Sequence, residues 1–179
     1  MHHYTFNVSK QTEKEYLAYP FSFEAKVLLP ADKVWDEWIL TLTDTEKSWF
    51  WPLQYSQPRV DSMPMAAGGL LILDYEIPNP HDGNRPPKIA QYQFHIVECD
   101  HEKRFYKYQA TDDHPFLVGG GMVSVEANNT KSSNLVWKGK YKHLRENKNA
   151  LAQGDVFAHF LCSFFTALAQ NINNNIGYD

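Results

Sequence analysis

Aromatic side chains with polar tips alternate along several apolar segments of this chain. Tyr106 and Tyr108 flank a lysine, Tyr92 precedes Phe94 by two positions, and Trp137 lies in a third such segment. Residues two apart on a strand share a face, so these rings are predicted to line one side of a sheet. A phenol ring supplies apolar surface, while its hydroxyl can donate and accept a hydrogen bond. The pattern favours an apolar pocket that orients a ligand; the alternative is a large core that the rings simply fill.

The candidate for proton transfer is His159, one position before Phe160 in the predicted last helix. Imidazole titrates near neutral pH and could therefore serve as a general acid or base at a pocket. Its sequence context offers no carboxylate partner, and the alternative is a structural or solvent-facing histidine. Asp74 and Glu76 share a strand face and could form a carboxylate pair, but apolar residues occupy the opposite face, which favours a solvated role for the two acids.

Metal and phosphate chemistry have no motif here. The histidines show no HExxH spacing, and Cys99 and Cys162 form neither a CxxC pair nor a disulfide framework. Three consecutive glycines at 119–121 lack the GxxxxGK[ST] pattern of a phosphate-binding loop and are predicted to bend or bulge a strand. We therefore predict no metal and no cofactor.

Composition narrows the function classes further. The chain has 179 residues, a net charge of −4 and 15% aromatic residues, which fits one domain without the basic footprint of a nucleic-acid-binding protein. Lys138, Lys140 and Lys142 alternate along one predicted strand and indicate a solvated strand face. The first residues lack the pattern of a signal peptide, and no apolar run is long enough to cross a bilayer, so the expected location is the cytoplasm without membrane insertion.

The elements that must position these residues follow from periodicity. Alternating apolar residues predict a strand over residues 21–29, and Pro30 with Asp32 predicts the start of a helix that ends near Thr43. Its apolar stripe is predicted to consist of Val34, Trp35, Trp38, Ile39 and Leu42. Residues 48–54 are predicted to form a second short helix or a tight turn. Six antiparallel strands are predicted at about 56–63, 70–77, 88–99, 103–110, 117–127 and 132–143, mostly as a meander. A long helix over about 154–176 closes the chain, with Phe157, Phe160, Leu161, Phe164, Leu168 and Ile172 on its apolar stripe. Residues 1–19 are treated as an arm or short edge element, and residues 20–179 as a single domain.

The strand-to-helix junction Pro30-Ala-Asp-Lys-Val-Trp35, the strand over residues 133–141 and the apolar last helix together resemble the START and polyketide-cyclase-like superfamily, SRPBCC. The resemblance covers about residues 20–176. It implies the α+β helix-grip fold, in which a curved antiparallel sheet wraps around a long C-terminal helix. It also implies a cavity for an apolar molecule between sheet and helix, but it carries over no catalytic motif.

We therefore predict that the chain binds a small hydrophobic or amphipathic molecule in an internal cavity. The residues predicted to line the cavity are Tyr75, Tyr92, Phe94, Tyr106, Tyr108, Trp137, Phe160 and Phe164, with Trp49 and Trp51 at its mouth. One alternative is a cyclase or dehydratase that uses His159 and a pocket tyrosine. Another is a protein-interaction module with a filled core and an unidentified protein partner.

Overall fold

The computed structural model describes residues 4–43, 57–60, 65–77, 88–111 and 118–146, together with Phe165, Thr166, Ala169, Gln170 and Ile172. At residues 41, 43, 57–60, 73–77, 88–92 and 118 only the backbone is described. This part of the chain forms one curved antiparallel sheet and a helix that packs on it. No helix within it is long and apolar enough to cross a membrane.

The helix and the strands are described here by their bounds. The helix α1 spans Ala31–Thr43. The strands are β1 (Tyr4–Val8), β2 (Gln11–Thr12), β3 (Tyr16–Val27), β4 (Gln57–Val60), β5 (Leu70–Ile77), β6 (Lys88–Asp100), β7 (Phe105–Ala110), β8 (Val118–Asn129) and β9 (Ser132–Leu144). The six strands predicted after α1 are all present, with ends that differ by a few residues, so the predicted antiparallel meander is confirmed.

The sheet has the order β1-β3-β9-β8-β7-β6-β5-β4, with β2 also paired to β3. Neighbours from β4 to β9 are consecutive in the chain, whereas β3 pairs antiparallel with β9 along its whole length, from Tyr16 opposite Leu144 to Val27 opposite Ser133. The short strands β1 and β2 therefore lie at the edge of the sheet beside β3, where an arm or short edge element was expected. The division of the chain at residue 19 into an arm and one domain stays a prediction.

Strand β3 begins five residues before the predicted start and ends two before the predicted end. Pro20, which cannot donate a backbone hydrogen bond, made the earlier start hard to anticipate. Its carbonyl accepts from the Ser9 amide at 3.0 Å, on the side where the chain passes from β1 to β2. A strand residue directs its N–H and C=O to the same side, so the missing donor of Pro20 falls at the gap between those two short strands and breaks no ladder with β9.

The alternation of β3 directs Tyr19, Phe21, Phe23, Ala25 and Val27 to one face of the sheet, and all five are buried. We call this face the inner face. Across the register it continues on β9 as Leu135, Trp137, Gly139, Tyr141 and His143, on β8 as Gly119, Gly121, Val123 and Val125, and on β7 as Tyr106, Tyr108 and Ala110.

Helix α1 covers one end of the inner face. Its apolar stripe, Val34, Trp35, Trp38 and Leu42, is buried as the helical spacing predicts. Pro30 accepts the first helical hydrogen bond from the Val34 amide at 3.1 Å, and Asp32 in the first turn pairs with Arg104 at 2.7 Å. The Ser133 hydroxyl donates to the Leu29 carbonyl at 3.0 Å and ties the start of the helix to β9.

The predicted long C-terminal helix is seen only in part. Phe165, Thr166, Ala169, Gln170 and Ile172 are helical, and Phe165, Ala169 and Ile172 are buried at the spacing of one helix face. Phe165 packs against Phe23 and Trp137, with ring centroids 5.7 and 6.4 Å apart, and against Trp38 at 6.5 Å. The remainder of the predicted helix lies outside the described residues, and so does the short helix or tight turn predicted at 48–54. Of the residues predicted for the apolar stripe, only Ile172 is described.

The three consecutive glycines do not bulge the sheet. Pairing of β8 with β9 is continuous from Val118 to Ala127, so the predicted bulge at residues 119–121 is wrong, whereas the alternative, a bend of the strand, stays a prediction. Irregular register occurs instead between Ile96 and Glu98 of β6 and between Ala127 and Asn129 of β8. The glycines have another role, which is steric and is described below.

We expect Phe165→Ala to lower the free energy of unfolding by about 3–5 kcal/mol, because the ring is fully buried between the sheet and α1. Urea denaturation followed by circular dichroism measures the change. The matched control is Gln170→Ala, an exposed position of the same helical stretch, which should change stability by no more than about 0.5 kcal/mol. Equal effects of the two substitutions would show that Phe165 does not pack on the inner face.

Candidate functional site

Two buried hydrogen bonds join an indole to a phenol on the inner face. The Trp137 Nε1–H group donates to the Tyr108 hydroxyl oxygen at 2.6 Å, and the Trp38 Nε1–H group donates to the Tyr106 hydroxyl oxygen at 3.2 Å. The residues come from three elements, since both tyrosines lie on β7, Trp137 on β9 and Trp38 on α1. These bonds hold the two phenol oxygens at defined positions within an otherwise apolar interior.

Tyr108 reaches Trp137 across the strand that separates them. It is directly opposite Gly121 of β8, which in turn is opposite Gly139 of β9. A Cβ atom at position 121 would lie 2.5 Å from the Tyr108 hydroxyl oxygen and 2.8 Å from its Cζ atom. Because real Cβ atoms do not approach so closely, the absence of a side chain at Gly121 lets the tyrosine ring cross β8 close to the backbone.

Gly139 does the same for Phe21. A Cβ atom at position 139 would lie 2.6 Å from the Phe21 Cζ atom and 2.5 Å from the Gly120 carbonyl oxygen. The rings of Phe21 and Tyr108 therefore both lie low on the sheet. Trp137 stands next to them and contacts Phe21 edge to face, with ring centroids 5.6 Å apart.

The inner face divides into two halves that differ in burial. Phe23, Val123 and Leu135 are 0% exposed, whereas Phe21 is 7% exposed and Tyr108 and Trp137 are each 8% exposed. Phe94 meets Tyr108 edge to face at 5.3 Å and is only half-buried, as are Ala110, Gly121 and Gly139. We call the second group, Phe21, Phe94, Tyr108, Ala110, Gly121, Trp137 and Gly139, the open half of the inner face. Here the low rings leave side chains within reach of solvent.

The two tyrosine hydroxyls are buried as neutral groups. Burial raises the pKa of Tyr106 and of Tyr108 well above the ordinary tyrosine value, and the indole hydrogen bonds offset only part of that rise. An indole nitrogen can only donate, so each phenol oxygen is the acceptor and keeps its own proton for a second hydrogen bond. Among the residues that the structure describes, neither proton has an acceptor.

A third polar group lies further along the inner face, at the end of β9. His143 is buried, with Nδ1 3.1 Å from the Leu144 carbonyl oxygen and Nε2 3.3 Å from the Tyr19 hydroxyl. A carbonyl can only accept, so Nδ1 carries the hydrogen, and Nε2 accepts the hydrogen bond from Tyr19. Tyr19 also stacks on Tyr141 with ring centroids 4.8 Å apart.

A second histidine holds the opposite end of the molecule together. The Trp35 Nε1–H group donates to His101 Nδ1 at 3.2 Å, so Nε2 carries the hydrogen and donates to the Met65 carbonyl at 2.8 Å. Cys99 lies beside this pair, 3.5 Å from the same carbonyl. Burial, and then the charge of Asp100, raise the pKa of the Cys99 thiol, so it is a poor nucleophile near neutral pH.

Lys107 and Lys140 lie on the outer face of the sheet and form ion pairs there. Lys107 pairs with Glu98 at 2.5 Å and Lys140 pairs with Glu13 at 2.6 Å, and these four side chains are 36–50% exposed. The Lys142 ammonium lies 4.5 Å from the centre of the Tyr16 ring. Between residues 4 and 172, the described residues include no group of three or more His, Cys, Asp or Glu side chains able to hold a metal ion.

The structure brings together four of the residues predicted to form the site. Tyr106, Tyr108 and Trp137 are buried on the inner face, and Phe94 packs against Tyr108. Tyr75 and Tyr92 are described by their backbone only, where Tyr75 is opposite Ala90 and Tyr92 is opposite Leu73. The remaining predicted residues, Trp49, Trp51, His159, Phe160 and Phe164, lie outside the described residues. Their roles stay predictions.

Several contributors were not anticipated from the sequence. Trp38 was assigned to the apolar stripe of α1 but not to a hydrogen bond with Tyr106. Gly121 and Gly139 were not connected with the aromatic residues, although glycine inside a strand often marks close approach of another group. His143 was treated as one histidine among several, and only the register of β3 with β9 brings it to Tyr19.

The architecture is similar to several solved structures. A point mutant of norcoclaurine synthase from Thalictrum flavum, in complex with a transition-state analogue, is 14% identical, with a TM-score of 0.62 over 92% of this chain and 99% of that one. The Zhui aromatase/cyclase from Streptomyces is 10% identical, with a TM-score of 0.57 over 98% and 96% of the two chains. The structure of Ara h 8.0201 is 14% identical, with a TM-score of 0.57 over 87% and 97%.

No protein-family model matches the chain, and no curated protein matches it. At 10–14% identity the three likenesses establish the fold alone. They agree with the SRPBCC type of fold that the sequence resembles, in which a curved antiparallel sheet packs against helices.

The protonation of Tyr106 and Tyr108 makes stability depend on pH at the alkaline end. Both pKa values are raised in the folded state, so this contribution is fully present below about pH 10 and is lost as the pH rises above the pKa of unfolded tyrosine. We expect the free energy of unfolding to fall above about pH 10, and tyrosinate absorbance to show two residues that ionise only on unfolding. Urea denaturation across this range measures the slope.

Tyr108→Phe is the variant that isolates one of these two groups. It should reduce the alkaline loss of stability, since one proton fewer is retained by the folded state. Ionisation of Tyr108 in the intact protein together with the exposed tyrosines would contradict its burial as a hydrogen-bonded neutral phenol.

Proposed function

We propose that this protein binds a small hydrophobic or amphipathic molecule between the inner face of the sheet and the C-terminal helix. The ligand lies on the open half of the inner face, against the low rings of Phe21 and Tyr108. Rings that lie flat on a sheet leave room above them, whereas side chains that stand upright would fill it. The C-terminal helix, through Phe165 and the predicted residues Phe160 and Phe164, forms the other wall.

One observation carries this proposal. The Tyr108 phenol lies among aromatic side chains that are partly exposed to solvent, directly beside side chains that are fully buried. Phe23, Val123 and Leu135 exclude solvent completely, but Tyr108 and Trp137 two positions further along do not. Ligand sites are typically apolar surfaces with a few placed polar groups, and this region has that composition. A core that serves only for packing would use aliphatic residues at lower cost, because each buried hydroxyl needs a partner.

One of the similar structures supports the same class of ligand. Norcoclaurine synthase has been solved in complex with dopamine and hydroxybenzaldehyde, in a structure 11% identical to this chain with a TM-score of 0.55 over 98% of this chain and 90% of that one. Both compounds are small aromatic molecules. We therefore choose naphthalene derivatives as probes of the proposed site, because they are flat, apolar and of comparable size.

We expect 2-ethylnaphthalene to bind with one-to-one stoichiometry, as measured by nuclear magnetic resonance titration of the backbone amides. The shifts should concentrate at Gly119, Gly121 and Gly139, which carry no side chain on the inner face, and should be absent at Gly68 in an exposed turn. Ala110→Phe adds a ring on the open half and should weaken binding about tenfold or more.

The matched control is Gln109→Phe, which adds the same ring on the exposed outer face one residue earlier. It should leave the affinity for 2-ethylnaphthalene within about twofold of the original value, since no inner-face volume changes. Absence of binding, or equal weakening by both variants, would overturn the proposed site. Absence of binding would indicate that side chains fill the interior, which would favour a protein-interaction module.

A second candidate function, acid–base catalysis on the bound molecule, is favoured by the Tyr19–His143 pair. His143 Nε2 accepts from Tyr19, and its Nδ1–H is held by the Leu144 carbonyl, an arrangement in which an imidazole can take up a proton from a phenol. In this candidate function His143 transfers the proton, the role for which the sequence analysis proposed His159. The aromatase/cyclase that is similar to this chain in fold is an enzyme by name.

Catalysis of this kind would accelerate exchange of the acetyl protons of 2-acetylnaphthalene for deuterium in heavy water, as followed by proton resonance intensity. We expect His143→Gln to reduce any protein-dependent exchange about 100-fold, because general acid–base groups contribute at least that factor. His101→Gln is the control, since His101 lies at the other end of the molecule. Exchange that is unchanged by the substitution at 143, or absent in the original protein, would leave binding as the function.

A further inference from the structure

We infer that the open half of the inner face selects ligands that carry a neutral hydrogen-bond acceptor, a carbonyl oxygen, which the Tyr108 hydroxyl binds. This inference rests on the proposed function and specifies its ligand class. It follows from the direction of the hydrogen bond between Trp137 and Tyr108.

The direction of that bond is set by chemistry. An indole nitrogen has one hydrogen and no available lone pair, so Trp137 donates and the Tyr108 oxygen accepts at 2.6 Å. The hydroxyl is left with its single proton to donate. No described residue accepts that proton, and a buried donor without an acceptor is unfavourable. The group that completes the site is therefore an acceptor. A ligand that offered only a donor would have to share the Tyr108 oxygen, which already accepts from Trp137.

The surroundings favour a neutral acceptor over an anion. The cations that the structure describes nearest to Tyr108 on the sheet, Lys107, Lys138 and Lys140, lie on the outer face, where Lys107 and Lys140 pair with Glu98 and Glu13. The inner face around Tyr108 is formed by Phe21, Phe94, Trp137 and backbone at Gly121. An anion buried there would lack a compensating charge, but a ketone or aldehyde would not need one.

The position of the phenol is also fixed by sterics. Gly121 admits the Tyr108 ring close to the β8 backbone, and the indole of Trp137 holds its oxygen from the side of β9. The ring therefore loses little freedom when a ligand binds, which makes a single hydrogen bond selective. Trp137 is accordingly a positioning residue for Tyr108.

The Trp38–Tyr106 pair provides an internal control of the same chemistry. It also joins an indole donor to a phenol acceptor, at 3.2 Å, but Tyr106 is only 2% exposed and is opposite Val123, which is fully buried. A ligand on the open half should reach Tyr108 and not Tyr106. Substitution of the two tyrosines thus separates a role in binding from a role in packing.

The test compares 2-acetylnaphthalene with 2-ethylnaphthalene, two probes of similar shape of which only the first has a carbonyl group. Affinities for both are measured with the full chain, Tyr108→Phe, Trp137→Phe and Tyr106→Phe. We expect Tyr108→Phe to weaken the ketone about tenfold and the hydrocarbon less than about twofold. Trp137→Phe should weaken the ketone selectively by a smaller factor, and Tyr106→Phe should affect neither probe beyond about twofold.

A second measurement needs no variant and so does not depend on the folding of one. The carbonyl carbon of bound, ¹³C-labelled 2-acetylnaphthalene should resonate downfield of its position in an apolar solvent, as expected for a hydrogen-bonded ketone. An unshifted carbonyl, or equal changes of both probes in Tyr108→Phe, would overturn the inference and leave the proposed function intact. If neither probe binds the original protein, the proposed function fails and the inference fails with it.

Discussion

The interior of this protein depends on a pair of glycines that face each other across two neighbouring strands. Gly121 and Gly139 are opposite one another on β8 and β9, and each is covered by an aromatic ring that a Cβ atom would displace. If positions 121 and 139 carried side chains, Tyr108 and Phe21 would have to rotate away from the sheet. Tyr108 would then lose Trp137, and the space between sheet and helix would be occupied by the displaced rings. The hydrogen bond, the low position of the rings and the division of the inner face are thus consequences of one steric condition.

The histidine- and tyrosine-centred clusters of the interior use donors and acceptors in different ways. At His101 and His143 each ring nitrogen has a partner that defines which nitrogen carries the hydrogen. These groups are satisfied within the protein and hold distant segments together. Tyr106 and Tyr108 are different because each keeps a hydroxyl proton without an acceptor among the described residues, and only Tyr108 lies on the open half. An unused, oriented donor on a partly exposed apolar surface is typical of a binding site.

Sequence periodicity predicted most of the elements but not the contacts that define the candidate site. Alternation located β5 to β9, and helical spacing located α1, because each of these segments buries one regular face. The start of β3 was missed because proline usually marks the end of a strand. Pro20 is tolerated inside β3 because it faces the gap between β1 and β2, and no local sequence pattern predicts these two short strands. Tyr106, Tyr108 and Trp137 could be placed on inward faces by parity alone. Their hydrogen-bond partners could not, since these depend on which strands are neighbours and on the absence of side chains at two glycines.

The pairing of β3 with β9 has a consequence for how the chain is made. Val27 lies opposite Ser133, and the Ser133 hydroxyl bonds to Leu29 across 104 positions of sequence. Translation therefore releases β3, whose inner-face residues are all buried in the folded protein, about a hundred residues before its partner β9. During that interval β3 can pair only with the two short strands β1 and β2. Phe21 and Phe23 meanwhile lack their contacts with Trp137 of β9. Closure of the sheet is a long-range event, so the apolar face of β3 stays prone to aggregation until β9 has been synthesised.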